Sequence, residues 1–180
     1  MVARQSYAII LSAGVGSRLS ALTKFVPKAL IKVKAKAILD FAIAGYLDAG
    51  LVQENIFVVT GYKSKMIDDF LAQHYPQIRT IKNSDFATTN NMYSLYLALK
   101  NLPLDSLNTL FINNGDCLYE SRVIKDFADS PLQNAITIQS KIYNDESMKI
   151  SLGAQNRIIN IAKNIPPNQS CGVSIDLYKF

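Results

Sequence analysis

The most constraining feature of this chain is a short apolar run, Tyr7-Ala8-Ile9-Ile10-Leu11, that passes directly into Ser12-Ala13-Gly14-Val15-Gly16-Ser17-Arg18. A segment apolar at every position, not at alternate ones, describes a strand buried on both faces, as in a parallel sheet covered by helices. Glycines immediately after such a strand let backbone N–H groups approach an anion, because no Cβ stands in the way. The two standard phosphate-binding patterns do not fit. A dinucleotide fingerprint would need a third glycine where Leu19 stands, and no Gly-Lys-Ser/Thr closes the loop. At this point triphosphate binding and a ligand-free tight turn both remain open.

The residues that follow repeat the strand-then-helix alternation. Ile38 to Ala49 has apolar positions at helical spacing (Leu39, Ile43, Tyr46, Leu47) and stops at Gly50, and Ile56-Phe57-Val58-Val59-Thr60 is a second buried strand. Lys63 to His74 predicts an amphipathic helix and Ile78 to Lys82 a strand. Asn91 to Lys100 predicts a third helix, Thr109-Leu110-Phe111-Ile112 a further strand, and Ser121 to Ala128 a short helix. Thereafter the helices cease. Ala135 to Ile142, Met148 to Leu152, Arg157 to Ile161 and Gly172 to Tyr178 read as consecutive strands between polar turns. The expected fold is therefore α/β, a Rossmann-like and mostly parallel sheet flanked by helices, with antiparallel strands added in the C-terminal part. A single domain over residues 1–180 is expected, and the stop at Phe180 beside an apolar strand reads as a truncation at the C-terminus.

Charge and cysteine content narrow the class. Arg4, Arg18, Lys24, Lys28, Lys32, Lys34 and Lys36 precede the first carboxylate, Asp40, which suits a polyanionic partner or a solvated basic face. Aromatic residues are not interleaved with these cations as a single-strand nucleic-acid platform requires, so no nucleic-acid partner is expected. Cys117 and Cys171 form neither a disulfide framework nor a zinc pattern, and no cleavable leader precedes the first strand, so a cytoplasmic protein is expected. No apolar run approaches the roughly 20 residues of a membrane span.

Candidate site residues gather around the loop. Arg18 within it and Lys28 in Pro27-Lys28-Ala29-Leu30 supply cations for a triphosphate, one as a planar fork and one as a point charge near the α-phosphate. Asn113-Asn114-Gly115-Asp116 directly follows a strand, which puts a carboxylate at the edge where open α/β sheets bind ligands. Asp116 is thus a candidate Mg²⁺ ligand, since magnesium is held by one or two carboxylates with substrate phosphates and water. Asn83 and Asn90 can both donate and accept toward a base or ribose, and Asn90 is equally placed to cap the next helix. His74 is assigned to the surface or to a helix end.

Leu11 to Leu19, Pro27-Lys28-Ala29-Leu30, Val59-Thr60-Gly61-Tyr62, Asn90-Asn91-Met92-Tyr93-Ser94-Leu95 and Gly115-Asp116 together resemble the sugar-phosphate nucleotidyltransferase-like superfamily, and within it the phosphocholine cytidylyltransferase-like branch. The resemblance implies that an NTP, CTP by preference, gives its nucleotide to a small phosphomonoester or phosphonate acceptor with release of pyrophosphate and help from Mg²⁺. It implies nucleotide binding by Leu11, Ser12, Ala13, Gly14, Val15, Gly16, Ser17, Arg18, Lys28, Asn83, Asn90 and Gly115, catalysis by Arg18, Lys28 and Asp116, and acceptor binding by Lys163. A sugar 1-phosphate acceptor stays open. So does a non-catalytic nucleotide-binding module, because the family's second metal-binding aspartate lies beyond the point where this chain stops. Asp176, within the last strand, is expected to have a structural or surface role.

Overall fold

The computed structural model describes residues 5–16, 20–140 and 143–180. Strand β1 (Gln5–Ser12) is the centre of the molecule, with Ala8, Ile9 and Ile10 fully buried. It pairs in parallel with β4 (Ile56–Thr60) on one side and β6 (Leu107–Asn114) on the other, and β5 (Arg79–Lys82) extends the parallel half beyond β4. The helices between these strands cover both faces. Leu39, Ile43 and Tyr46 of α2 (Ile38–Asp48), Ile67 and Leu71 of α3 (Ser64–His74) and Ile124 of α5 (Ser121–Asp129) pack with Ala8, Ile10 and Val58. On the opposite face Ala98, Leu95 and Leu99 of α4 (Asn91–Leu99) pack with Ile9, Phe57 and Val59. Successive residues of a strand point to opposite faces, so a continuously apolar strand feeds both clusters at once.

The expected change of architecture after α5 is present. Strand β10 (Gly172–Lys179) runs antiparallel to β6 and carries β8 (Lys149–Leu152), with β9 (Ile158–Ala162) at the edge and β7 (Ala135–Gln139) paired to β10 off the main order. The resulting sheet has eight strands in the order β5-β4-β1-β6-β10-β8-β9 with β7 beside β10. Residues 141 and 142, the end of the predicted strand Ala135 to Ile142, lie outside the described residues.

Two local features depart from the sequence reading. Lys32–Val33 (β2) and Lys36–Ala37 (β3) make a small hairpin whose turn holds Lys34 and Ala35 at φ 49° and 69°, a left-handed pair without the glycine or asparagine that usually marks such a turn. In β10, the register against β7 slips between Ser174 and Tyr178, and Asp176 sits at φ 58°. That is a bulge carrying a left-handed non-glycine residue, not a regular strand position.

Candidate active site

Parallel strands that end together leave their loops at one edge, and here Ser12, Thr60 and Asn114 are the last residues of β1, β4 and β6. The turn after β6 is tied to β1 by a hydrogen bond from Gly115 N–H to Leu11 O of 2.8 Å. Gly115 is required there: a Cβ at this position would lie 1.9 Å from Ser12 Oγ. The glycine loop is held from the other side. Gly16 adopts φ +68°, its carbonyl accepts a hydrogen bond from Oγ1 of Thr23, the last residue of the short helix α1 (Ser20–Thr23), and the Tyr62 hydroxyl donates to Thr23 O. A Cβ at Gly16 would lie 3.3 Å from Lys28 Cβ, so a side chain there would be strained and would press on that lysine.

Pro27, extended at φ −63°, leads into a single 3₁₀ turn over Lys28–Leu30 that buries Ala29 and turns Lys28 outward. Lys28 Nζ then donates to Asp116 Oδ2 at 2.6 Å, joining the segment after the glycine loop to the turn after β6. Between them is a cavity of about 200 Å³ walled by Ser12, Gly14, Gly16, Lys28, Asp116 and Asp176, with Leu11, Ala29, Asn91, Asn114 and Gly115 completing it. A glycine-lined strand end, a fixed cation and two carboxylates around one polar cavity is an arrangement for a phosphorylated ligand and its counter-charges.

Beneath this floor lies a polar chain, buried at Tyr46 and Asn113 and open to solvent at Asn91. The Tyr46 hydroxyl, fully buried in α2, donates to Asn113 Oδ1 at 2.9 Å; Asn113 Nδ2 donates to Asn114 O; and Asn91 Nδ2 donates to Asn114 Oδ1. Burial pushes the Tyr46 phenol far above its ordinary range, so it serves as a permanent donor. Beside Asp116, burial raises the Cys117 thiol to about 12, against a smaller lowering by the Tyr119 hydroxyl. A thiol so raised is not a nucleophile at neutral pH.

Residues 7–149 match the nucleotidyl transferase family. The chain belongs to this family. The chain is similar to choline-phosphate cytidylyltransferase of Streptococcus pneumoniae, with 36% identity over 59% of this chain and 46% of the relative. It is also similar to 2-aminoethylphosphonate cytidylyltransferase of Lancefieldella rimae, with 35% identity over 54% of this chain and 38% of the relative. In both cases the matched part is less than half of the relative's length. Among solved structures, the inositol-1-phosphate CTP transferase from T. maritima superposes with a TM-score of 0.78 at 20% identity, over 99% of this chain and 71% of that one. That likeness establishes the nucleotidyltransferase fold.

Within the chain the expected site residues divide into groups. Leu11, Ser12, Gly14, Gly16, Lys28, Gly115 and Asp116 wall one cavity, and Ala13 and Val15 stand in the same loop, Ala13 buried and Val15 exposed. Ser17 and Arg18 lie outside the described residues. Asn83 is placed differently from expectation. It is 1% exposed, its Nδ2 donates to Thr89 Oγ1 and Ser94 Oγ, and its Oδ1 accepts from Asp85 N–H, so the amide staples the loop ahead of α4. Asn90 is the N-cap of α4, its Oδ1 accepting from the N–H groups of Met92 and Tyr93. Lys163 follows β9, away from the cavity wall, and pairs with Glu146 at 2.7 Å.

Asn91 and Asn114 were not among the expected site residues, and Asp176 was expected to have a structural or surface role; all three line the cavity. Asn91 neighbours the residue that had been chosen, and helix phase decides which of the two faces inward. Asp176 faces the cavity through its bulge, for which no sequence signal exists. Among the described residues no group of three or more His, Cys, Asp or Glu forms a metal nest. Two carboxylates at a phosphate site do fit magnesium, which takes few protein ligands and shares phosphate oxygens. Ser12 Oγ, buried in this wall and without a hydrogen-bond partner, is a further polar atom that a ligand would satisfy. Among the described residues no helix is long and apolar enough to cross a membrane.

Proposed function

We propose that the protein is a Mg²⁺-dependent cytidylyltransferase, moving CMP from CTP onto a small phosphomonoester or phosphonate with release of pyrophosphate. The observation that carries this reading is the meeting of Lys28 and Asp116 at 2.6 Å over a glycine-lined cavity at the sheet's C-terminal edge. The similarity to cytidylyltransferases of choline phosphate and 2-aminoethylphosphonate supports CTP and an acceptor of that class. The free cysteines Cys117 and Cys171 suit the reducing cytoplasm, where we place the reaction.

In the proposed reaction an acceptor phosphate oxygen attacks the α-phosphorus in line. The new P–O bond forms as the bond to the β-phosphate bridge breaks, and the electron pair leaves with pyrophosphate. A phosphomonoester with a second pKa of about 6 is already ionised at neutral pH, so no general base is needed. The obstacle is the approach of two anions. Backbone N–H groups of the loop Ser12 to Arg18 cradle the triphosphate, Lys28 and Arg18 offset charge on the α-phosphate, and Asp116 holds the cation. Bound Mg²⁺ would supply further neutralisation of the phosphates. Asn83, Asn90 and Asn91 set the position of the α4 N-terminus beside the nucleotide, and Lys163 is assigned to the acceptor side.

Pyrophosphate release over a grid of NTPs and acceptors tests the reading, with phosphocholine, 2-aminoethylphosphonate and a sugar 1-phosphate as acceptors. Turnover with CTP and an amine-bearing acceptor is expected. Turnover only with a sugar 1-phosphate would move the protein to the sugar-nucleotide class, and CTP binding without turnover would make it a binding module.

A further inference from the structure

We propose that Lys149 is a positioning residue for Lys163, the lysine assigned above to the acceptor side; this rests on that assignment. By holding the Lys163 main chain, Lys149 sets where that lysine's ammonium meets the phosphate or phosphonate of the acceptor. Strand β6 ends at Asn114, and β10 runs the opposite way with Leu177 opposite Asn113, so the part of β10 before Asp176 continues past the ligand edge of the sheet. Lys149 stands opposite Val173 in that overhang, and Ala162, the residue before Lys163, stands opposite Lys149. Both lysines therefore lie on the ligand side, beyond the ends of β1, β4 and β6.

Lys149 is a buried charge in an apolar setting. It is 5% exposed, and its strand neighbours Ile150 and Val173 are buried. An ammonium carries three donors and is costly to bury without a counter-charge. Among the described residues Lys149 Nζ meets no carboxylate and makes one hydrogen bond, to Lys163 O at 2.5 Å. Methionine would fill a similar volume without that penalty. A buried group that breaks the local rule in this way is the expected mark of a functional position.

Residue 163 is gripped at two points by one segment. Glu146 Oε2 accepts from Lys163 Nζ at 2.7 Å, and Lys149, which opens β8, takes the Lys163 carbonyl. Glu146 is itself fixed by Asn144, whose Oδ1 accepts from Glu146 N–H at 3.0 Å and from Ser147 Oγ at 2.8 Å. The stretch from Asn144 to Lys149 thus holds one lysine by its side chain and its main chain together. The two bonds differ in strength. The ion pair to Glu146 is exposed and held weakly, so an incoming phosphate can displace the carboxylate. The bond from Lys149 is charge-assisted and shielded from water, so it persists. Lys163 then turns from carboxylate to acceptor without losing its place in the chain.

The test is steady-state pyrophosphate release by the full chain, with CTP and the acceptor of the above grid that the parent turns over fastest, each varied in turn. Lys163→Ala is expected to raise KM for the acceptor by about 10-fold or more, the loss of a charge-assisted hydrogen bond. Lys149→Met is expected to raise it by about 3-fold or more while KM for CTP moves by less than about 2-fold. The double variant is expected to match Lys163→Ala, because Lys149 acts through Lys163. Lys149→Gln, shorter in reach, carries the same expectation as Lys149→Met and takes its place if that variant does not fold. Loss of the fold in both would make Lys149 a folding residue and overturn the proposal. So would an unchanged acceptor KM, equal rises in KM for acceptor and CTP, or losses that multiply in the double variant. An unchanged acceptor KM in Lys163→Ala would overturn the acceptor assignment and this inference together, leaving nucleotidyl transfer standing. No turnover by the parent with any acceptor of the grid would overturn the nucleotidyl-transfer reading itself.

Discussion

Lys28 and Asp116, 88 positions apart in the chain, meet through a 2.6 Å contact between Nζ and Oδ2 that closes the cavity between the glycine loop and the end of β6. The lysine occupies an oxygen that a divalent cation would use. On the proposed reading, Lys28 and a divalent cation would compete for one carboxylate, and metal entry would release Lys28 toward the triphosphate.

Replacing Lys28 with Ala should separate these roles. Pyrophosphate release is expected to fall by about 100-fold or more, the loss typical of removing one preorganised group at a developing charge. Mn²⁺ binding without nucleotide should tighten, because the competing ammonium is gone. Near-normal turnover would remove Lys28 from the chemistry, and weaker Mn²⁺ binding would remove the competition.

At Gly115 the added methyl of an alanine would meet Ser12 Oγ at 1.9 Å. Gly115→Ala is expected to destabilise by about 1–3 kcal/mol in urea unfolding, as overpacking does. Ser12→Ala in the same chain should recover part of that loss, because the nearest obstructing atom is removed and contacting residues couple. Additive losses in the double variant would show that the turn, not the hydroxyl, sets the limit.

The Tyr46 hydroxyl is the donor to buried Asn113 Oδ1. Tyr46→Phe leaves that oxygen unpaired and should lower stability by about 1–3 kcal/mol. Because Asn113 in turn holds Asn114 O, turnover should fall while KM for CTP changes little. Unchanged kcat alongside lost stability would confine the chain to a structural role.

Tyr75 gives a prediction in pH. Burial first, and then the hydrogen bond to Asp40 Oδ1, raise its phenol from 10.0 to about 12. The unfolded chain loses this proton at lower pH than the folded one, so the associated stability is complete below about pH 10 and is lost as pH rises toward 12. Tyr75→Phe should flatten the fall in urea midpoint between about pH 10 and 12, the interval from the ordinary to the raised phenol value. An unchanged slope would assign the alkaline loss to other groups.

The parallel half of the fold was legible because buried strands such as Ile56–Thr60 are apolar without interruption and their helices repeat at the expected spacing. The hairpin at Lys32 to Ala37 was not, because its turn residues Lys34 and Ala35 are ordinary by composition and adopt their left-handed backbone under tertiary constraint. In the site, Lys28 and Asp116 were legible as charges beside strand ends. Asn83, expected at the nucleotide, has a bonding role that the sequence does not announce: an amide suited to a nucleotide is equally suited to Thr89, Ser94 and a backbone N–H, and the structure pairs it with these. Asp176 was expected in a structural or surface role because a position inside an apolar strand gives no notice of a bulge.

The left-handed backbone at Asp176 sets two selective pressures against each other. A non-glycine residue held at φ 58° gives up roughly 1 kcal/mol that glycine would recover. A library ranked by heat resistance alone should therefore enrich Gly at this position; retention of Asp there would show that the hydrogen bonds from Ser174 and Tyr178 to its carboxylate outweigh that gain.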